Sequence, residues 1–167
     1  TGATPAVQLV TLVEGLDAKV VDKVIRERIT LTPGGPELVR TMRANGAWTA
    51  LVSGGFTLFT RVIAQTIGFD ENRANTLLIL DGRFTGKVAE PILGREAKFE
   101  TLVDLRARRR LVKEETMAVG DGANDLAMIK EAGLGVAFHA KPAVAAVAAA
   151  RVDHCDLTAL LFAQGYR

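Results

Sequence analysis

Two short stretches of this chain combine residue types suited to phosphate and to a divalent cation. They are Ser53-Gly54-Gly55 in "TALVSGGF" and Gly120-Asp121-Gly122 in "MAVGDGANDLAMIKEAG". Each follows an apolar run and precedes an amphipathic stretch, so each is expected where a strand gives way to a helix. A Ser-Gly-Gly turn there offers a hydroxyl, a backbone open to close approach, and unpaired N–H groups at the positive end of a helix, which suits a phosphate. The acidic turn offers the opposite charge. Asp121 can present a hard oxygen to Mg²⁺ from its strand end, while Asn124 and Asp125 can orient a substrate or a metal-bound water. Singly, these features are common: Ser-Gly-Gly and Asp-Gly are ordinary turns, and Asn124 or Asp125 could simply cap a helix.

The elements that must position these turns follow from the periodicity. "GLDAKVVDKVIRERI" has apolar Val20, Val21, Val24 and Ile25 with Asp17 as N-cap, an amphipathic helix. Pro36 opens a second helix, "PELVRTMRAN", which Gly46 closes, and "AWTALV" follows as a buried strand. The helix "FTLFTRVIAQTI" ends at Gly68, and "TLLILDGRFTGKV" reads as a hairpin turning at Asp81-Gly82. Then come the helix "REAKFETLVDLRARRRL", the strand "TMAV", the acidic turn, the helix "DLAMIKEA" and the strand "LGVAF". A helix over the alanine-rich "AVAAVAAA" and a last helix, "LTALLFAQ", complete the chain. Strands alternating with helices imply an α/β fold with a mostly parallel sheet. Ligands in such folds sit beyond the carboxyl ends of the strands, so both turns are expected to face one crevice.

Size and composition narrow the field. With 167 residues and 49% hydrophobic content, the chain suits one domain with one core. No apolar run approaches the roughly 18 residues of a membrane span, and "TGATPAVQLV" lacks the basic start of a signal peptide, so a cytoplasmic protein without membrane contact is expected. The lone Cys155 excludes an internal disulfide. A net charge of +2 does not argue for nucleic acid, and the basic run Arg106 to Arg110 reads as cations opposing the negative end of a helix dipole. His139 and His154 are expected at a strand end and in a loop, without a direct role.

The order and wording of "LTPGGPELVRTMRANG", "VSGGF", "AKFETL" and "GDGANDLAMIKEAGLGVAFHAKP" resemble the phosphoserine phosphatase branch of the haloacid dehalogenase-like superfamily, from about Val10 to the C-terminus. The resemblance implies a Rossmann-like parallel sheet with a β-hairpin insertion. Residues 1–31 would be the remnant of a helical cap, and residues 32–167 the core. It also implies roles. Ser53 and the Gly54 N–H would hold the transferring phosphoryl group, and Lys98 would neutralise its charge. Asp121 would ligate Mg²⁺ directly, Asp125 would hold a coordinated water or the loop, and Asn124 would touch the substrate, O-phospho-L-serine. Without its neighbours Lys98 would read as a solvated helix lysine.

Members of that branch attack with an aspartate of an Asp-x-Asp-x-Thr motif on the first strand. These 167 residues contain no Asp-x-Asp. The nucleophile strand is therefore expected upstream of Thr1 or absent, and the chain alone is expected to be inactive. That strand would lie between the strands ending at Val52 and Val119. Its place would be filled from another chain or segment, by homo-oligomerisation or strand exchange, or closed by direct pairing of its neighbours. Leu9 stands where relatives commonly carry a substrate-binding arginine. Two other readings stand beside phosphoserine hydrolysis. One is the phosphorylation domain of a P-type cation pump, disfavoured by Ser53-Gly54-Gly55 where pumps carry Thr-Gly-Asp. The other is a non-catalytic relic that keeps the fold for binding or assembly.

Overall fold

The computed structural model describes residue 10, residues 13–94 and residues 96–166. They fall into two compact units, Thr1–Leu31 with Val39–Gly94, and Thr32–Leu38 with Arg95–Arg167. No described helix is long and apolar enough to cross a membrane.

In the first unit, helix α1 spans Val20–Arg28. Asp17 does not cap it: its carboxylate accepts the Lys19 N–H at 2.9 Å, and its backbone forms an antiparallel bridge with Arg83. Val21 and Ile25 pack with Val10, Leu77 and Phe84, whereas Val20 and Val24, expected on the same apolar face, are exposed. Helix α2, Gly35–Ala44, whose residues up to Leu38 belong to the second unit, carries Pro36 in its first turn and is followed by Gly46 at φ 84°. Strand β1, Ala50–Phe56, runs parallel to β2, Glu71–Asn75, and helix α3, Thr57–Ile67, connects them. The sequence "ENRAN" shows no apolar alternation, so β2 escapes a periodicity reading; its pairing with β1 makes it a strand. Strands β3, Leu77–Leu80, and β4, Arg83–Val88, form the expected hairpin. Asp81 and Gly82 take φ 49° and 76°, the positive pair a type I′ turn requires. Residues 15–18 run along β4, with the Gly15 N–H donating to Phe84 O at 2.8 Å and the Phe84 N–H to Leu16 O at 3.0 Å.

The second unit is built on a parallel sheet in the order β5-β6-β7: Met117–Gly120, Leu134–Phe138 and Ala150–Val152. Helices α4, Ala97–Arg109, and α5, Leu126–Glu131, are joined by an ion pair between Arg106 and Glu131 at 2.7 Å. Ile129, Ala137 and Val144 form one buried cluster of the unit's core, in which Val136 and Leu160 are as deeply buried. A Cβ on Gly135 would lie 2.0 Å from the Ile129 carbonyl oxygen, so only glycine lets α5 approach β6 this closely. The alanine-rich segment departs from expectation. Its helix, α6, spans only Pro142–Ala145, and Ala150–Val152 joins the sheet as β7. Alanine's helix preference is worth less than 1 kcal/mol per residue, too little to carry the helix past Ala145, and at Ala150 the chain pairs with β6 instead. Helix α7, Ala159–Ala163, follows β7.

Candidate active site

The Ser53-Gly54-Gly55 segment is a bulge within β1 and not the turn beyond its end that the sequence suggests. Val52 faces Arg73 and Phe56 faces Asn75, so four steps along β1 match two along β2 and the extra residues loop out of the ladder. The Ser53 Oγ accepts the Gly55 N–H at 3.0 Å, which leaves its own O–H available to a ligand oxygen. Gly54 is exposed, and a Cβ placed on it would meet nothing within 4 Å, so its backbone is open to approach. Helix α3 begins at Thr57 with no side-chain cap on its first turn.

A residue not singled out from the sequence supports this bulge. Asn75 is 3% exposed, and its amide is fully used. Nδ2 donates to Gly54 O at 3.1 Å and to Leu93 O at 3.3 Å, while Oδ1 accepts the Leu93 N–H at 2.7 Å. It ties the Gly54 peptide to the segment that follows Pro91. The signal available in the sequence is an amide two residues ahead of the apolar strand "LLIL", where a polar side chain is buried only if its partners are built in.

The second unit brings Lys98, Asp121 and Asp125 together. Lys98 lies in the first turn of α4, Asp121 follows β5, and Asp125 ends the 3₁₀ turn Ala123–Asp125. Asp125 Oδ1 takes the Lys98 ammonium; Oδ2 accepts the N–H groups of Asp121 at 3.1 Å and Gly122 at 3.0 Å. The Asp125 side chain is 2% exposed and that of Lys98 18%, so this charge pair is held largely out of water. Gly120 makes room for it, since a Cβ there would lie 2.4 Å from the Asp125 Cβ. The Asp121 peptide is gripped on its other side too, its carbonyl accepting the Lys141 N–H at 3.1 Å. The Asp121 side chain is exposed and makes no hydrogen bond or ion pair among the described residues, which leaves its carboxylate open to a cation. Asn124 is exposed on the same turn, and Leu9 lies outside the described residues.

This donor set fits Mg²⁺ of one kind. Among the described residues no group of three or more His, Cys, Asp or Glu side chains could hold a metal. Mg²⁺ commonly takes one or two carboxylates and fills its octahedron with water and substrate phosphate, for which Asp121 suffices as one ligand.

Comparison with known proteins follows the same lines. A family model described as haloacid dehalogenase-like hydrolase matches residues 6–130. A phosphoserine phosphatase of Methanocaldococcus jannaschii is 39% identical over 152 residues, covering 91% of this chain and 72% of its own length. One of Streptomyces coelicolor is 46% identical over 156 residues, 93% of this chain. This chain spans 38% of the Streptomyces protein and 38% of a similar one from Mycobacterium tuberculosis. Among solved structures, a probable phosphoserine phosphatase from Vibrio cholerae superposes with a TM-score of 0.87 at 38% identity, over 93% of this chain and 50% of its own. A phosphoserine phosphatase described as a phospho-aspartyl intermediate analogue superposes with a TM-score of 0.86 at 38% identity, over 94% of this chain and 75% of its own.

Proposed function

The chain belongs to the haloacid dehalogenase-like hydrolase family, in its phosphoserine phosphatase branch, and from that premise we propose that it carries the phosphate- and metal-binding parts of a phosphatase acting on O-phospho-L-serine. Water is consumed and serine and phosphate are released, through a phosphoryl group held in passing on an aspartate. That nucleophile is contributed by residues outside these 167, which contain no Asp-x-Asp. On this reading residues 1–31 belong to a helical cap and residues 32–167 to the core.

Each side chain has a task that its setting supports. The Ser53 hydroxyl, oriented by its bond from Gly55, donates to a phosphoryl oxygen beside the open Gly54 N–H. Lys98 offsets negative charge on the transferring group, and Asn124 meets the substrate from the exposed turn. Asp121 ligates Mg²⁺, which when bound neutralises charge on the phosphoryl oxygens. The observation that carries the reading is Asp125, a buried carboxylate that holds the Lys98 ammonium with one oxygen and the backbone of the Asp121 turn with the other. One side chain thus fixes both the cation and the metal ligand, the preorganisation that phosphoryl transfer rewards.

The test is phosphate release from O-phospho-L-serine with Mg²⁺. The 167-residue chain should show none above background. A longer chain that includes the upstream aspartate should turn over, and Ser53→Ala and Lys98→Ala should each slow it by about a hundredfold. Turnover by the 167-residue chain, or full activity in either variant, refutes the proposal. Tight Mg²⁺ and phosphate binding by the longer chain without hydrolysis would favour a binding relic.

A further inference from the structure

His139 is an exposed residue in a backbone conformation that side chains seldom adopt, φ 45°, immediately after β6. Histidine tolerates this region better than most residues, but a left-handed turn remains unfavourable for it unless something compensates. Two bonds hold it there. The His139 N–H donates to Val152 O at 2.8 Å, one step beyond the β6–β7 ladder. The ring Nε2 lies 2.8 Å from Cys155 O. A carbonyl only accepts, so Nε2 carries the ring proton and donates it.

The turn made at His139 has a consequence two residues on. Pro142 begins α6 and confines Lys141 to an extended conformation, φ −61° and ψ 149°. Lys141 therefore has little freedom of its own, and the direction of its N–H is set by the turn before it. That N–H meets the Asp121 carbonyl at 3.1 Å. The Asp121 peptide is thus clamped between the Asp125 carboxylate on its N–H and Lys141 on its carbonyl. Only one of those clamps belongs to the acidic turn, Asp121 to Asp125, itself.

We infer that His139 is a positioning residue for Asp121: its ring, anchored on the Cys155 carbonyl, holds the left-handed turn that delivers the Lys141 N–H to the Asp121 carbonyl. This rests on the reading of Asp121 as a metal ligand and adds to it a residue from a different loop, reaching the carboxylate through the backbone.

Amide hydrogen exchange, followed by NMR on the 167-residue chain, tests it. In His139→Ala the Lys141 amide should exchange about tenfold faster, the loss expected for one net hydrogen bond, while the Val119 and Val136 amides in β5 and β6 keep their rates. His139→Asn keeps tolerance of the left-handed turn but has a shorter side chain, and should fall between His139→Ala and the parent. Unchanged Lys141 exchange in His139→Ala overturns the inference. If His139→Ala does not fold, His139→Asn decides it: Lys141 exchange equal to the parent overturns it, and faster exchange confined to residues 139–141 and 121–122 supports it. A second arm uses Mn²⁺, which broadens nearby amide signals even when weakly bound. Broadening of the Asp121 and Gly122 amides in the parent, reduced in His139→Ala, is expected. No broadening of them in the parent, with Lys141 exchange altered as expected, would refute the metal reading and leave His139 as the residue that positions the turn.

Discussion

Lys98 and Asp125, 27 positions apart in sequence, form an ion pair in which the carboxylate is all but buried and its second oxygen binds the backbone of the Asp121 turn. The pair is thus part of the scaffold as well as of the site. Removing one partner of a buried pair typically costs about 3 to 5 kcal/mol, because the other charge stays behind in a poorly solvating place. Lys98→Met should fall at the low end, since Asp125 keeps two N–H donors. Gly120→Ala, which forces a methyl into the Asp125 side chain, should cost about 1 to 3 kcal/mol through overpacking. Urea denaturation measures both. Losses within about 0.5 kcal/mol of the parent would show that the turn holds itself together without the pair.

Asn75 is expected to be as sensitive without touching any ligand. Asn75→Ala leaves the carbonyls of Gly54 and Leu93 and the Leu93 N–H without their partner, at about 1 to 3 kcal/mol for each group that water cannot reach. Asn75→Asp keeps the acceptor for Leu93 N–H but sets a carboxylate oxygen against two carbonyls, and should destabilise more than a neutral swap on the surface. Equilibrium unfolding of both variants, with Thr66→Ala on the exposed side of α3 as a control, gives the comparison. Variants as stable as the control would mean that the bulge does not need the clamp.

Asp70 makes the first unit sensitive to acid. Burial alone would raise its pKa, but bonds from the Thr49 N–H and hydroxyl, both at 2.9 Å, and the Arg43 guanidinium at 2.8 Å outweigh it and hold the carboxyl below its ordinary value. A pKa lower in the folded than in the unfolded state contributes stability that is complete above the unfolded value of about 3.9 and disappears as pH falls through the folded one. The parent should therefore lose stability below about pH 4, and Asp70→Asn, already weaker near neutrality, should lose less over that range. Urea midpoints measured from neutrality down to about pH 3 check this. Parallel acid profiles for the two proteins would rule out Asp70 as a contributor.

Much of this protein can be read from local pattern. Helix α3 stops at Gly68 and Asp81-Gly82 turns the hairpin, because these caps and turns are set by the φ preferences of single residues, and α4 ends in the arginine-rich segment, whose cations meet the negative end of the helix dipole. The acidic turn is legible for a similar reason: its chemistry lies within five consecutive residues, Asp121 to Asp125. Polar β2 and the three-residue β7 were not legible, since each is a strand only through hydrogen bonds to a partner far along the chain. The same holds for what the site depends on. Asn75 reaches Leu93 18 residues away, Lys98 reaches Asp125 27 residues away, and Lys141 reaches Asp121 from beyond β6. Sequence determined which side chains could do chemistry. Only tertiary structure decided which buried polar groups would find partners, because a hydrogen bond depends on distance and direction in space and not on separation along the chain.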